Sequence, residues 1–296
     1  MERFRDHAPD PRDGRGARGT GYPVQRGKAI RIGAVPYLNG KPLIWGLKDE
    51  PEVEVVSAVP SRLASMLDRR EIAAGLVSSV ACFANPRLQI VPNISISCVG
   101  RSESVKVFYK GSVESIRRVA LDTSSLTSVL LARIILRERY ELLPEFVPMP
   151  PSLPDMLEAC DAAVVIGDTT MRAPVGRWPA LDLGEEWHML TGLPFVFAVW
   201  AVNPDVAAPG LPDILGRSKS RGLQSLDEIS RVEAVRLGLP VDACLRYLSE
   251  IMDYELTDRH MEALAVFRER GRGYGLLESD HEVELYTPLA GRCNRE

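Results

Sequence analysis

The feature that most limits the possible folds is a repeated succession of short apolar runs and helix-forming segments. The first block covers residues 30–92 and the second covers residues 119–167. Strands that alternate with helices form parallel sheets whose two faces the helices cover. A long apolar run follows at residues 195–202, and the pattern is helical from about residue 212 to about residue 270. The sequence therefore predicts an α/β protein with two lobes.

The predicted lobes are discontinuous in sequence, because the chain would cross between them twice. The crossings are expected near residues 105–109 and 195–202. The predicted units are a disordered tail (1–28), a first lobe (29–108 plus 200–277), a second lobe (109–199) and a C-terminal tail (278–296). Ligands of open α/β sheets bind beyond the carboxyl ends of the strands, so a ligand cleft is expected between the lobes.

Charge and hydropathy exclude several classes of function. The formal net charge of −4 argues against a surface that binds nucleic acid or an anionic membrane. No apolar run approaches the roughly 18–20 residues of a membrane span, and residues 1–28 lack the apolar core of a secretory signal. We therefore expect a cytoplasmic protein with neither a membrane nor a nucleic-acid partner. The pattern leaves its oligomeric state open.

The cysteines and the common catalytic motifs give no sign of a metal or a cofactor. The five cysteines are scattered and contain no CxxC pair: Cys82, Cys98, Cys160, Cys244 and Cys293. Such a distribution is typical of buried thiols in a reducing compartment. The sequence has no HExxH, GxSxG or GxxxxGK[ST] motif, and its glycine-rich piece at residues 271–275 follows a helical pattern instead of opening one. No metal and no cofactor is predicted.

Three strand-to-helix junctions concentrate small polar residues, at residues 36–39, 77–79 and 122–128. Each would place hydroxyls or an amide at a helix N-terminus, where free N–H groups and the helix dipole favour an anion. A single Ser or Thr there is explained by helix capping alone. However, five of the six residues 123–128 are Ser or Thr, which exceeds what one cap needs. The cluster therefore favours anion binding.

Several single residues near these junctions have two interpretations. Asn39 precedes a glycine and fits a turn as well as a ligand contact. Tyr37 could line a cleft or belong to the core. Gly167 and Asp168 follow a buried strand, and Asp168 could cap the next short helix or face a ligand. His188 lies in a charged helix, where a lone histidine is usually solvated.

Five longer motifs resemble, in the same order, the menaquinone biosynthesis enzymes of the futalosine pathway. They are IGAVPYLNGKPL at 32–43, ALDTSSLTS at 120–128, VIGD at 165–168, DLGEEW at 182–187 and TGLPFVFAVW at 191–200. The resemblance extends over about residues 30–277. It implies a periplasmic-binding-protein-like (type II) fold with a ligand cleft between the lobes, which agrees with the two lobes predicted above.

The family that the sequence resembles contains two enzymes on one scaffold. One is a hydro-lyase that dehydrates chorismate to 3-[(1-carboxyvinyl)oxy]benzoate. The other forms 1,4-dihydroxy-6-naphthoate and carries a His-Thr-Thr type motif in its cleft. The corresponding stretch here, residues 124–128, contains no histidine. The resemblance is therefore closer to chorismate dehydratase, and it implies chorismate as the small-molecule substrate.

Chorismate carries two carboxylates, which the polar junctions are expected to bind. We predict that Ser78 and Ser79 at one helix N-terminus, and Thr127 and Ser128 at another, hold these carboxylates through hydroxyl and backbone N–H groups. Ser104, at the first predicted lobe crossing, is a candidate third donor.

The reacting atoms of chorismate give roles to the remaining candidates. Asn39 is expected to bond the ring carboxylate or the leaving hydroxyl, because a neutral amide cannot act as the base. Tyr37 and Gly167 are expected to line the substrate site. The base that removes the C3 hydrogen is either Asp168 or the substrate's own side-chain carboxylate.

Three other functions are compatible with this fold. The protein could be a non-catalytic solute-binding protein, although the lack of an export signal argues against that function. It could be the naphthoate-forming sister enzyme, although the His-Thr-Thr motif is missing. Synthesis of a pyrimidine precursor would need histidine and cysteine residues in the cleft, and the pattern does not place any there.

Overall fold

The computed structural model describes residues 29–122, 125–174, 176–206, 210–278 and 281–288. The predicted disordered tail at residues 1–28 lies outside these ranges, as do two residues of the polar cluster, Thr123 and Ser124.

Ten strands form two sheets in the described chain. The strands are β1 (Ile30–Ala34), β2 (Val53–Ser57), β3 (Ala74–Ser78), β4 (Gln89–Cys98), β5 (Val105–Tyr109), β6 (Arg118–Asp122), β7 (Glu145–Met149), β8 (Ala162–Ile166), β9 (Ala180–Asp182) and β10 (Phe195–Val202). The first sheet has the order β2-β1-β3-β10-β4 and the second has the order β7-β6-β8-β5-β9.

Eleven α-helices are described, together with short 3-10 segments such as Leu38–Gly40 and a π-helical turn at Tyr247–Ile251. The α-helices are α1 (Lys41–Ile44), α2 (Pro60–Asp68), α3 (Ser79–Ala84), α4 (Leu126–Tyr140), α5 (Leu153–Ala159), α6 (Gly167–Met171), α7 (Leu183–Thr191), α8 (Leu211–Gln224), α9 (Leu226–Leu237), α10 (Val241–Arg246) and α11 (Asp258–Gly273). No described helix is both long enough and apolar enough to cross a membrane.

Both sheets are mixed, which corrects the expectation of parallel sheets. In the first sheet β1 is parallel to β2 and β3, whereas β10 is antiparallel to β3 and β4. In the second sheet β6 is parallel to β7 and β8, whereas β5 is antiparallel to β8. The parallel strands follow one another through helical crossovers, as the alternating pattern predicts. Strands β5 and β10 each follow a strand of the other sheet in the sequence. No crossover within one sheet therefore requires them to run parallel to their neighbours.

The strand pairing bears on where the chain passes between sheets. Strand β5 belongs to the second sheet and β10 to the first. The chain therefore leaves the first sheet in the segment 99–104 and returns through 183–194, and each segment directly precedes the strand where a crossing was expected. The residue limits given above for the two lobes stay a prediction.

An aromatic cluster joins α7 and the start of β10 to α11, where the chain returns to the first sheet. The indole of Trp187, on α7, meets the ring of Phe195, on β10, edge to face with 5.4 Å between centroids. Phe267, on α11, contacts both rings at 5.7 Å and 4.9 Å. All three side chains are fully buried, and such edge-to-face pairs add to the stability of the core. Helix α11 therefore fixes the position of the chain where it re-enters the first sheet.

Candidate active site

The carboxyl ends of strands from both sheets surround one small cavity. Its polar lining comes from both sheets, and consists of Tyr37, Asn39, Ser78, Ser125, Ser128 and Gly167. Its remaining walls are apolar, with Phe197 of β10 and Ile96 of β4 among them. The cavity encloses about 50 Å³, well below the roughly 300–1,000 Å³ of ligand pockets. The cleft is therefore nearly closed in this structure.

The predicted site residues fall into two groups around this cavity. Five of the nine line it: Tyr37, Asn39, Ser78, Ser128 and Gly167. The other four do not line it but form hydrogen bonds to the segments that do: Ser79, Ser104, Thr127 and Asp168. Ser125, a capping residue of the polar cluster, lines the cavity as well. Their roles toward a substrate stay predictions.

Gly167 and Tyr37 face each other across the cleft. Gly167 has a φ of +60°, a conformation that disfavours any residue with a Cβ. A Cβ at this position would lie 3.0 Å from Cδ1 of the Tyr37 ring. The N–H of Gly167 donates to the carbonyl of Ser104 at 2.7 Å, which holds the turn after β8 against the segment before β5. Both the backbone conformation and the close ring therefore require glycine.

Asp168 connects the two sheets. Its Oδ1 accepts a hydrogen bond from the backbone N–H of Leu38 at 3.0 Å, and its Oδ2 lies 2.9 Å from Nη2 of Arg236. Arg236 also pairs with Glu233 at 2.5 Å, and Glu233 pairs with Lys41 at 2.9 Å. Both carboxylate oxygens of Asp168 are therefore occupied. Asp168 lies inside α6, so it does not cap that helix.

Ser79 and Thr127 form a direct contact between the helix N-termini of α3 and α4. The two hydroxyl oxygens are 3.2 Å apart, and both side chains are fully buried. Ser79 donates its hydrogen to the carbonyl of Val196 at 3.0 Å, so the bond between the hydroxyls must use the hydrogen of Thr127. Thr127 in turn accepts from the N–H of Val80 at 3.2 Å. This chain of bonds links the two sheets at the back of the cavity.

Asn39 ends a second hydrogen-bond network, which sequence reasoning did not find. The phenol of Tyr247 donates to Oγ of Ser104 at 2.7 Å, and the amide of Asn39 bonds the same phenol oxygen. Burial raises the pKa of Tyr247, so the phenol stays protonated and cannot serve as a base. The other end of the amide is unsatisfied, because Oδ1 of Asn39 is buried without a hydrogen-bond partner among the described residues.

Three residues of these networks carried no sequence signal that marked them as part of a site. Tyr247, Arg236 and Glu233 lie in the C-terminal helical section, where only the helical period is visible. A sequence signal was present for Lys41, which belongs to the motif IGAVPYLNGKPL at residues 32–43. None of these positions adjoins a strand end in the sequence.

Histidines and cysteines do not contribute to the cavity within the described chain. His188 bonds the carbonyl of Leu193 through Nδ1 at 3.2 Å, and it lies outside the cavity lining. The four described cysteines are buried and free. Burial raises the pKa of Cys82 to about 12, so its thiol is unreactive at neutral pH. No cluster of possible metal ligands occurs among the described residues.

Comparison with known sequences identifies relatives over most of the chain. A sequence model of the family described as "Menaquinone biosynthesis" matches residues 30–273. A chorismate dehydratase of Thermus thermophilus is 33% identical over 232 residues, which are 70% of this chain and 83% of that protein. A chorismate dehydratase of Campylobacter jejuni is 29% identical over 245 residues, which are 80% of this chain and 95% of that protein.

Solved structures with low sequence identity share the architecture. Protein AF1704 from Archaeoglobus fulgidus matches with a TM-score of 0.70 at 18% identity, over 85% of this chain and 99% of that one. The periplasmic aliphatic sulphonate binding protein SsuA from Escherichia coli matches with a TM-score of 0.62 at 16% identity, over 90% of this chain and 94% of that one. These likenesses confirm the predicted periplasmic-binding-protein-like fold.

Proposed function

The chain belongs to the menaquinone biosynthesis family, and on that premise we propose that it catalyses the dehydration of chorismate to 3-[(1-carboxyvinyl)oxy]benzoate. The relatives named chorismate dehydratase support the reaction. The observation in the structure that carries the proposal is the unsatisfied Oδ1 of Asn39, in a cavity whose other polar groups are small hydroxyl donors. These groups suit a ligand that bears both a hydroxyl and carboxylates.

The chemistry of chorismate asks for orientation and charge stabilisation. The C3 hydrogen is vinylogous to the ring carboxylate, because C1=C2 joins them. Its removal gives an extended enolate, and departure of the C4 hydroxyl then makes the ring aromatic. Hydrogen-bond donors placed at the ring carboxylate stabilise the enolate charge as it develops. A rigid cavity that holds the reacting atoms in line removes much of the entropic barrier.

Hydroxyls at the ends of α3 and α4 are proposed to hold the carboxylates. Ser78 and Ser128 supply the donors that line the cavity, and Ser125 lies beside them at the start of α4. The dipole of a 15-residue helix favours an anion at this end. Ser79 and Thr127 do not line the cavity, but the hydrogen bond between them sets the distance between the N-termini of α3 and α4.

Asn39 is proposed to bind the C4 hydroxyl that leaves. Its free Oδ1 is an acceptor, so it cannot bond a carboxylate, which has no hydrogen to donate. The hydroxyl of chorismate is a donor that meets this requirement. The bond from the amide to Tyr247 fixes which way Oδ1 points. Of the two partners expected for Asn39 from the sequence, the hydroxyl is therefore favoured over the ring carboxylate.

The base is proposed to be the side-chain carboxylate of chorismate itself. Tyr37 is the only ionisable residue among the described residues that line the cavity, and a phenol is a poor base when protonated. Asp168 uses both oxygens for Leu38 and Arg236. The substrate carboxylate would take the C3 proton and pass it to the departing hydroxyl, which leaves as water. The carboxylate is then restored for release with the product.

Entry of the substrate requires the lobes to separate. A cavity of about 50 Å³ does not hold a ring with two carboxylate groups. Two sets of hydrogen bonds close the cleft, one at Asp168 and Leu38 and one at Ser79 and Thr127. We propose that these bonds open for binding and re-form around the substrate, with the side chains that line the cavity displaced to make room for it, and that this closure excludes water from the enolate.

The assay that tests the function follows chorismate and its product together. The protein is incubated with chorismate, and the product is measured by mass and by its aromatic absorbance. A new species lighter by one water supports the dehydratase. Binding of chorismate without turnover would instead favour a solute-binding protein, and turnover of a cyclic futalosine derivative would favour the naphthoate-forming enzyme. A cytoplasmic location is proposed as well, supported by the four buried free cysteines.

A further inference from the structure

A second and larger cavity lies against the second sheet, apart from the one described above. It encloses about 360 Å³, which is within the range of small-ligand pockets. Its lining includes two residues of β5, Lys106 and Phe108. Other lining residues are Thr170 of α6, Arg246 of α10, and Trp178, which lies in the loop before β9. None of the residues that line the first cavity lines this one. Helix α6 contributes to both, with Gly167 in the first and Thr170 in the second.

Two of the charged groups in the second cavity neutralise each other. Arg246 donates to both carboxylate oxygens of Glu103, at 2.9 Å and 2.6 Å. These two hydrogen bonds from the guanidinium hold the pKa of Glu103 below its usual range. Neither group of this pair is therefore available to balance the charge of a ligand.

Two other polar groups of the cavity are incompletely satisfied. Thr170 is 4% exposed, and its Oγ1 is buried without a hydrogen-bond partner among the described residues. Lys106 lies on an inner strand of the sheet, half-buried, and its ammonium interacts electrostatically with Glu103, whose two carboxylate oxygens already bind Arg246. A buried hydroxyl without a partner is unfavourable in an empty protein, and so is the one excess positive charge that Lys106 and Arg246 leave beside the single carboxylate of Glu103. A ligand with one anionic group would satisfy both.

The apolar walls indicate the rest of the ligand. Phe108 is buried, and Trp178 packs beside it against the same small core cluster. Their rings suit a flat aromatic group. The excess of one positive charge among Glu103, Lys106 and Arg246 favours a ligand with one negative charge, whereas a phosphate would bring about two. We propose that this cavity binds a small aromatic monocarboxylate, with its carboxylate at Lys106 and Thr170 and its ring between Phe108 and Trp178. It can be occupied together with the first cavity.

Calorimetric titration with 4-methoxybenzoate tests this site without any need for turnover. We expect saturable binding of one molecule per chain and no binding of the uncharged methyl ester. Lys106→Met should weaken binding by at least about tenfold, because a charge-assisted bond is lost. Thr170→Val, which keeps the shape, should weaken it by about threefold or more. Lys110→Met removes an exposed lysine just beyond β5, outside the cavity, and should leave binding unchanged.

Two readouts locate the bound molecule. Binding should change the tryptophan fluorescence of the wild-type protein and not that of Trp178→Phe, with melting temperatures showing that both are folded. Chorismate should not displace the probe in the titration. The site assignment is overturned if 4-methoxybenzoate does not bind, if Lys106→Met binds as well as Lys110→Met, or if chorismate competes with it. None of these outcomes depends on whether the protein dehydrates chorismate.

Discussion

Oδ1 of Asp168 accepts a hydrogen bond from the backbone N–H of Leu38 at 3.0 Å, across the cleft between the two sheets. The acceptor follows β8 of the second sheet, and the donor follows β1 of the first. The contact is buried, and Arg236 holds the second carboxylate oxygen. A carboxylate bound in this way keeps the cleft closed and is poorly placed to remove a proton from a substrate.

Asp168→Asn separates these two roles. The amide still accepts from Leu38 but no longer balances Arg236, so closure weakens. We expect KM for chorismate to rise by about threefold to tenfold and kcat to fall by less than about tenfold. Steady-state kinetics measures both, with the exposed Asp155→Asn as the control. A fall in kcat of about a thousandfold or more, typical of a lost general base, would contradict the closing role.

Asn39→Ala removes the acceptor proposed for the leaving hydroxyl. We expect turnover of chorismate to fall by at least about tenfold, because the hydroxyl is no longer oriented. Circular dichroism should remain native. Asn85→Ala, which lies outside the cavity lining, provides the matched control and should keep full turnover. Normal turnover by Asn39→Ala would remove this residue from the mechanism.

Thr127→Val breaks the chain of bonds between α3 and α4. The N–H of Val80 and the hydroxyl of Ser79 each lose a buried partner, so the free energy of unfolding should fall by about 1–3 kcal/mol. KM for chorismate should rise, because the two helix ends no longer hold their spacing. Urea denaturation and kinetics test these effects. Thr127→Ser keeps the hydroxyl and should retain the wild-type free energy of unfolding and KM. An unaltered KM in Thr127→Val would argue against an anion site at the N-termini of α3 and α4.

Gly167→Ala tests the contact between the turn after β8 and the ring of Tyr37. The positive φ alone should cost about 1–2 kcal/mol of stability. Gly192→Ala introduces the same strain at φ +69°, with no atom within 4 Å of the added Cβ. We expect the larger loss of melting temperature in Gly167→Ala, because its Cβ also crowds the Tyr37 ring, and a raised KM for chorismate only in that variant. Equal kinetics in both would show that Tyr37 need not stay in place.

Most strands were predictable, because their signal is local. Strands β3 and β8 are buried along their whole length, as expected for inner strands of an α/β sheet, and β1 is buried over its last three residues. The helical pattern predicted from about residue 212 to about residue 270 corresponds to α8, α9, α10 and α11. Two strands were missed, β7 and β9, and both are edge strands of the second sheet. β7 contains Pro148, which an edge strand tolerates but which reads as a loop in the sequence.

The candidate site was predictable only in part, because many of its contacts join residues that are far apart in the sequence. The sequence alone determined which small polar residues follow the strands, since the period of a strand and the cap of a helix are set by neighbours in the chain. Only the tertiary structure decided what those residues bond. Tyr247 reaches Ser104 from 143 positions away, and Arg236 reaches Asp168 from 68 positions away. Such partners depend on how the C-terminal helices pack against the cleft, and no local pattern encodes that packing.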